Sequence, residues 1–195
     1  MVFIMHVSII VKRYWQLILL LTLSISPVYA DVFRVESARV TKIGNGYVLN
    51  AQFSYPLTER VKEAIANSVP IVFSQQLKLV RQTPLLGKYW IWEQTPWLSE
   101  IRYEIRYHAL SQQYVVQNLG TQHRNNYPSL DNALHEMGKI SALSLPPEHM
   151  LKTHNLSLQV RSELDLYALP TPMRPGALIS KKWQLASPWI FAQWD

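Results

Sequence analysis

Histidines, carboxylates and hydroxyls come first, because they carry most acid–base, nucleophilic and metal chemistry. The chain has six histidines and no cysteine. His108 lies between Arg106 and a turn, on the outward side of a strand-like stretch, and reads as a surface or turn residue bonded to the backbone. His149 and His154 flank a loop-like segment, and His123 and His135 fall on separate elements. His135-Glu136 resembles the start of a helical zinc-protease motif, but the position that must hold the second histidine is Lys139. Without cysteine there is no thiolate nucleophile, no cysteine metal site and no disulfide. The expectation is no metal and no cofactor.

Other constellations are as sparse. No Gly-x-Ser-x-Gly elbow occurs, and Ser141, Ser157 and Ser187 have no local support as nucleophiles. Glu163 and Asp165 alternate, so both point to one side of a strand end. Such a pair can exchange protons with a substrate, but a solvated strand terminus is the simpler explanation. None of the six glycines forms a phosphate-cradling loop. The chain reads as a non-enzyme. The surplus is aromatic: Tyr89, Trp90, Trp92 and Trp97 cluster in an irregular region, and Trp183, Trp189 and Trp194 sit near the C-terminus. The first group could be a platform for sugar rings or an interface anchor. Both groups could also fill a core or cover its open end.

The elements that must position these residues are mostly strands. From Ile101 to Ala109, Ile101, Tyr103, Ile105, Tyr107 and Ala109 point one way, and Arg102, Glu104, Arg106 and His108 the other. This period of two marks a half-buried strand with a solvated face of mixed charge. Leu110 to Gln112 turns the chain and Tyr114-Val115-Val116 returns it, a hairpin expected at the centre of a sheet. Further strands are expected over 31–43, over 47–55 after a Gly44-Asn45-Gly46 hairpin turn, from Ile71 to Leu79, and over 154–164. Thr58 is positioned to cap a helix over 59–67 with Val61, Ala64 and Ile65 inward. Pro128-Ser129 opens a second helix to about Leu143, with Leu130, Ala133, Leu134, Met137 and Ile140 on one side. Leu169 to Gly176 reads as an ordered loop, 177–186 as a terminal strand, and Ser187-Pro188-Trp189 as the start of a brief final helix. The expected fold is mainly β, an antiparallel sandwich of about seven to nine strands with two short helices.

The start reads differently. Lys12 and Arg13, the apolar run Leu17 to Leu23, and Val28-Tyr29-Ala30 have the layout of a secretory signal peptide cut after Ala30. The rival is a retained membrane anchor, but about 15 residues interrupted by Gln16, serines and Pro27 fall short of the ~20 needed to span. Met5 is an alternative initiator. Cleavage leaves residues 31–195 as a single domain with 17 basic and 13 acidic side chains, a net +4. That charge is dispersed, with Lys181-Lys182 its densest point, so no nucleic acid partner is expected.

The stretch Tyr107-His108-Ala109-Leu110-Ser111-Gln112-Gln113-Tyr114 resembles the YHAL-x-x-QY signature of a set of exported bacterial proteins, the domain of unknown function 4390 family. Trp183-x-Leu-Ala-Ser-x-Trp189 and the loop Leu169 to Pro172 are similar to two further motifs of that family, and the resemblance runs from about Val32 to Trp194. It implies a periplasmic, β-rich protein without assigned activity or catalytic residues. Family members are often encoded beside a membrane sensor kinase of the nitrogen-regulation type, which hints at a signalling partner. The leading expectation is an interaction or accessory module for an envelope protein, such as that kinase. The alternatives are a glycan, lipid or small-ligand binder using Tyr89, Trp90, Trp92 and Trp97, and an unrecognised hydrolase.

Overall fold

Hydrophobic alternation becomes two facing sheets. The structure, a computed structural model, describes residues 32–84, 91–146 and 156–195. Strands β1 (Arg34–Ile43), β2 (Gly46–Ser54), β3 (Ile71–Pro84), β4 (Ile91–His108), β5 (Gln113–Asn118), β6 (Arg124–Tyr127), β7 (Lys139–Ser144), β8 (Leu156–Leu164), β9 (Ile190–Phe191) and β10 (Gln193–Trp194) form them. One sheet has the order β10-β1-β2-β7, the other β6-β5-β4-β3-β8-β9. All pairings are antiparallel except that of β1 with β10. The mainly β sandwich is therefore as expected, with β3 and β4 at the centre of the larger sheet.

The core lies between the sheets. Val40, Leu49, Ala51 and Phe53 face Ile71, Phe73, Leu77, Leu79, Ile105, Leu158 and Val160, and all are buried. Phe33 stacks on Phe73 at 5.6 Å and meets Tyr55 edge-on at 4.9 Å. Residues 31–195 make one compact unit. With no cysteine in the chain, burial of this apolar surface is the main stabilising term, worth about 25 cal/mol per Å².

Helix α1 (Glu59–Ala66) starts where expected: the Thr58 hydroxyl accepts from the Val61 N–H at 3.4 Å, and Val61, Ala64 and Ile65 are buried. Helix α2 (Leu130–Met137) is capped by Ser129 but is shorter than its apolar spacing suggests, and β7 replaces its expected end. The reason is a bulge. Leu49 pairs with Leu143 and Ala51 with Ile140, so three steps of β7 oppose two of β2. Inward residues of β7 are thus three apart, a helix-like spacing on an extended chain. Ser141 and Ala142 together oppose Asn50, and Ala142, at φ 49°, donates its N–H to Asn50 Oδ1 at 2.9 Å.

Three other expectations are corrected. The first hairpin turn forms, but the positive φ expected of Asn45-Gly46 falls instead on Gly44 (φ 59°), at the first turn position, with Gly46 already paired to Ile43. That arrangement matches a II′-type turn. After a 3₁₀ turn at Leu166–Ala168, the segment expected as a loop and a terminal strand contains a second 3₁₀ turn, Thr171–Met173, and a third helix, α3 (Arg174–Ile179), with proline in its first turn. No final helix forms at Ser187. Its hydroxyl accepts instead from the Ser162 N–H at 3.0 Å and ties the C-terminal segment to β8. The chain then crosses from one sheet to the other through β9, buried Ala192 and β10, which closes that side of the sandwich.

Candidate interaction site on the β3–β4 hairpin

β3 and β4 are the longest strands, of 14 and 18 residues. β3 is flanked by β4 along its length and by β8 from Phe73 to Arg81. β4 has β5 on its second side only from Tyr103 to His108. Among the described residues, no strand pairs with that side between Ile91 and Arg102. The Arg102 carbonyl accepts from the Leu119 N–H at 2.8 Å, which identifies the side. Antiparallel backbone groups alternate by two, so the N–H and C=O of Glu100 and Leu98 point to the same open edge.

A second bulge shapes this edge. Leu79 pairs with Trp97 and Arg81 with Gln94, so Thr95 and Pro96 together oppose Val80. The extra residue brings Trp92 and Trp97, five apart in sequence, to one face of the sheet. Trp97 is half-buried and packs against the core. Trp92 is 52 % exposed, and Leu98, on the opposite face, is 64 % exposed. The bulge and Pro96, which has no N–H, interrupt the open edge and limit indiscriminate strand pairing.

Beside the edge lies an open cleft of about 630 Å³, between β4, the turn after β5, and β7. Ile101, Tyr103, Ile140 and Leu143 supply its apolar walls, and Arg102, Asn118, Thr121 and Lys139 its polar ones. Asn118 Oδ1 accepts from the N–H groups of Gly120 and Thr121 and shapes the turn on one side. Burial raises the pKa of Tyr103; its hydrogen bond with the Asn118 side chain opposes this and the nearby Tyr127 adds to it. A smaller pocket of about 360 Å³ adjoins the cleft through Lys139, Ile140 and Ser141, and includes Arg39. Neither Arg39 nor Lys139 has a carboxylate partner among the described residues.

The remaining candidates are distributed as follows. Tyr89 and Trp90 lie outside the described residues, as do His149, His154 and the expected leader, residues 1–30. His108 closes the β4–β5 turn, with Nδ1 3.0 Å from Ser111 Oγ. Glu163 accepts from Gln76 and Arg161, at 2.8 and 2.6 Å on its two oxygens. Asp165 accepts from Arg102 at 2.6 Å on one oxygen and from the N–H groups of Tyr167 and Ala168 on the other. All four oxygens are occupied, so the pair fastens the strand end and the turn after it. No group of three or more histidine and acidic side chains suited to a metal occurs among the described residues, and no helix among them is long and apolar enough to cross a membrane.

Sequence reasoning missed Leu98, Lys139 and the cleft. Leu98 falls on the polar side of a regular alternation, and its 64 % exposure lies where no described strand pairs with the second side of β4. The cleft joins residues about forty apart, and no local pattern marks such a meeting.

The motif residues are architectural. Tyr107 and Tyr114 pack as a cross-strand pair at 5.1 Å. Leu169, Trp183 and Leu185 are buried. Trp189 lies beneath Lys78 Nζ at 4.4 Å and beside the Arg161 guanidinium at 5.8 Å. No curated protein and no solved structure matches the chain. The model of one family does match, over residues 30–193 and so across the whole sandwich, and the chain belongs to that family, described as domain of unknown function DUF4390.

Proposed function

We propose that the protein is exported to the periplasm, cut after Ala30, and acts there as a non-enzymatic accessory module that binds another envelope protein. The carrying observation is Trp92, 52 % exposed on the outer part of the β3–β4 hairpin. A tryptophan left this far out of the core has the size and amphipathic character of an interface anchor. Leu98, 64 % exposed on the other face of the same open-edged strand, offers a separate apolar contact. The sensory part of a membrane kinase is the preferred partner, on the strength of the family resemblance.

Export is tested by sequencing the N-terminus of periplasmic protein, which should begin at Asp31. Binding is tested by co-purification with a cross-linker from cells expressing wild type or Trp92→Ala. The wild type should bring down a distinct envelope protein, and Trp92→Ala should lose at least tenfold of it, about 1.4 kcal/mol. Recovery of the wild type alone, with cross-linker present, contradicts the proposal.

The shared face of Trp92 and Trp97 favours one second reading, a binder of glycan or lipid. Titration with cell-wall fragments or lipid vesicles should then change tryptophan fluorescence in the wild type and not in Trp92→Ala. No change in the wild type rejects it.

A further inference from the structure

We infer that the open edge of β4 between Trp97 and Ile101 accepts an added strand: a short, extended, acidic-ended segment of the partner protein, whose alternate apolar side chains enter the neighbouring cleft. This inference rests on the proposal that the β3–β4 hairpin is the docking element, and it specifies how docking occurs.

Three observations converge on it. First, the outward N–H and C=O groups of Leu98 and Glu100 have no backbone partner among the described residues, although they continue the line along which β5 pairs with β4. Unpaired groups at a sheet edge are a template for another strand. Second, alternate side chains of a strand laid there fall on the inner face, beside Ile101 and Tyr103, where the cleft of about 630 Å³ opens. The added strand therefore has both its ladder and its pockets. The bulge at Thr95-Pro96 limits it at one end and the Asn118 turn at the other, so it spans roughly five residues.

Third, charge selects the occupant. Arg102 in the cleft is neutralised by Asp165 and Glu100 is held by the Ser74 hydroxyl. Lys139 and Arg39, on the β7 side and in the adjoining pocket, have no carboxylate partner among the described residues. An acidic residue at the end of the incoming segment would complement them, and a basic one would be repelled.

The test uses the purified exported protein and a synthetic peptide of about ten residues alternating valine and threonine. One version ends in two aspartates, the other in two lysines. Binding is read by fluorescence anisotropy, and backbone exchange at Leu98 and Glu100 by NMR. The aspartate peptide should bind more tightly, and the two N–H groups should exchange rapidly in the free protein and become protected in the complex. Leu98→Pro removes one outward donor at an edge position where proline is tolerated, and should weaken binding about fivefold or more. Lys139→Glu should reverse the preference between the peptides while leaving the fold intact.

Several results overturn the inference: neither peptide binding at millimolar concentration, binding unaffected by Leu98→Pro, or protection of both N–H groups in dilute free protein. Protection that grows with protein concentration alone assigns the edge to a second copy and also overturns it. If Trp92→Ala loses the envelope partner while Leu98→Pro retains it, the hairpin proposal stands and the added strand does not. Loss of both proposals shows as partner capture indifferent to Trp92→Ala together with peptide binding indifferent to Leu98→Pro.

Discussion

Gln75 is a polar side chain in the centre of an apolar sandwich, fully buried and facing inward from β3. Its Nε2 donates to the Tyr55 hydroxyl and to the Met137 carbonyl, each at 2.8 Å, and Ser162 Oγ lies 3.3 Å from the same hydroxyl. Burial pushes the Tyr55 pKa up to about 12, against the lowering effect of the bonds from Ser162 and Gln75. In the unfolded chain this phenol ionises near pH 10, so above that pH the unfolded state sheds a proton that the folded state retains. The contribution of Tyr55 to stability is fully present below pH 10, and about 2–3 kcal/mol of it is lost as the pH rises toward 12. Tyr55→Phe should cost about 1 kcal/mol at pH 7, and its urea midpoint should fall less steeply between pH 10 and 12 than that of wild type. Parallel curves would remove Tyr55 as the cause. The inward position of Gln75 could be read from alternation with Phe73 and Leu77. Its partners could not, because Met137 is 62 residues away.

The elements most legible in the sequence were those with an uninterrupted period and a chemical stop. Strand β2, helix α1 and the centre of β4 all have both, whereas β1 alternates imperfectly and carries a register shift between Val35 and Ser37. Where a bulge inserts one residue, the period misleads: β7 carries helix-like spacing, and Trp92 and Trp97 fall on one face despite odd separation. The C-terminal segment was illegible for another reason. Its alternately buried Trp183, Leu185 and Ser187 follow β8 through a few backbone bonds rather than a continuous ladder. The α2–β7 junction offers a direct test of packing. Gly138 has an ordinary helical φ of −70°, but a Cβ there would collide with the Phe53 carbonyl oxygen, while Gly176 faces open space. Gly138→Ala should therefore cost about 1–3 kcal/mol in chemical unfolding. Gly176→Ala, within α3, should be neutral or stabilising by up to about 1 kcal/mol. Equal effects at the two sites would mean that the close approach at Phe53 does not govern the junction.

At the scale of the whole molecule, the described strands leave a cleft of about 630 Å³ at the surface of the sandwich. The C-terminal strands close one side, while the cleft between β4 and β7 remains on another. The β4 wall of that cleft (Ile101 and Tyr103), the open edge of β4 and exposed Trp92 all belong to the β3–β4 hairpin, the surface proposed above for docking. The sequence supplied its aromatic character at Trp92 and Trp97, but the open edge depends on where β5 stops. Site-specific photo-cross-linking in living cells tests this most directly, with a benzophenone side chain placed at Trp92, at Leu98 or, for comparison, at exposed Lys62 on α1. The account predicts an adduct with one envelope protein from Trp92 and Leu98 and none from Lys62. Adducts from Lys62 alone, or none from either hairpin position, would contradict it.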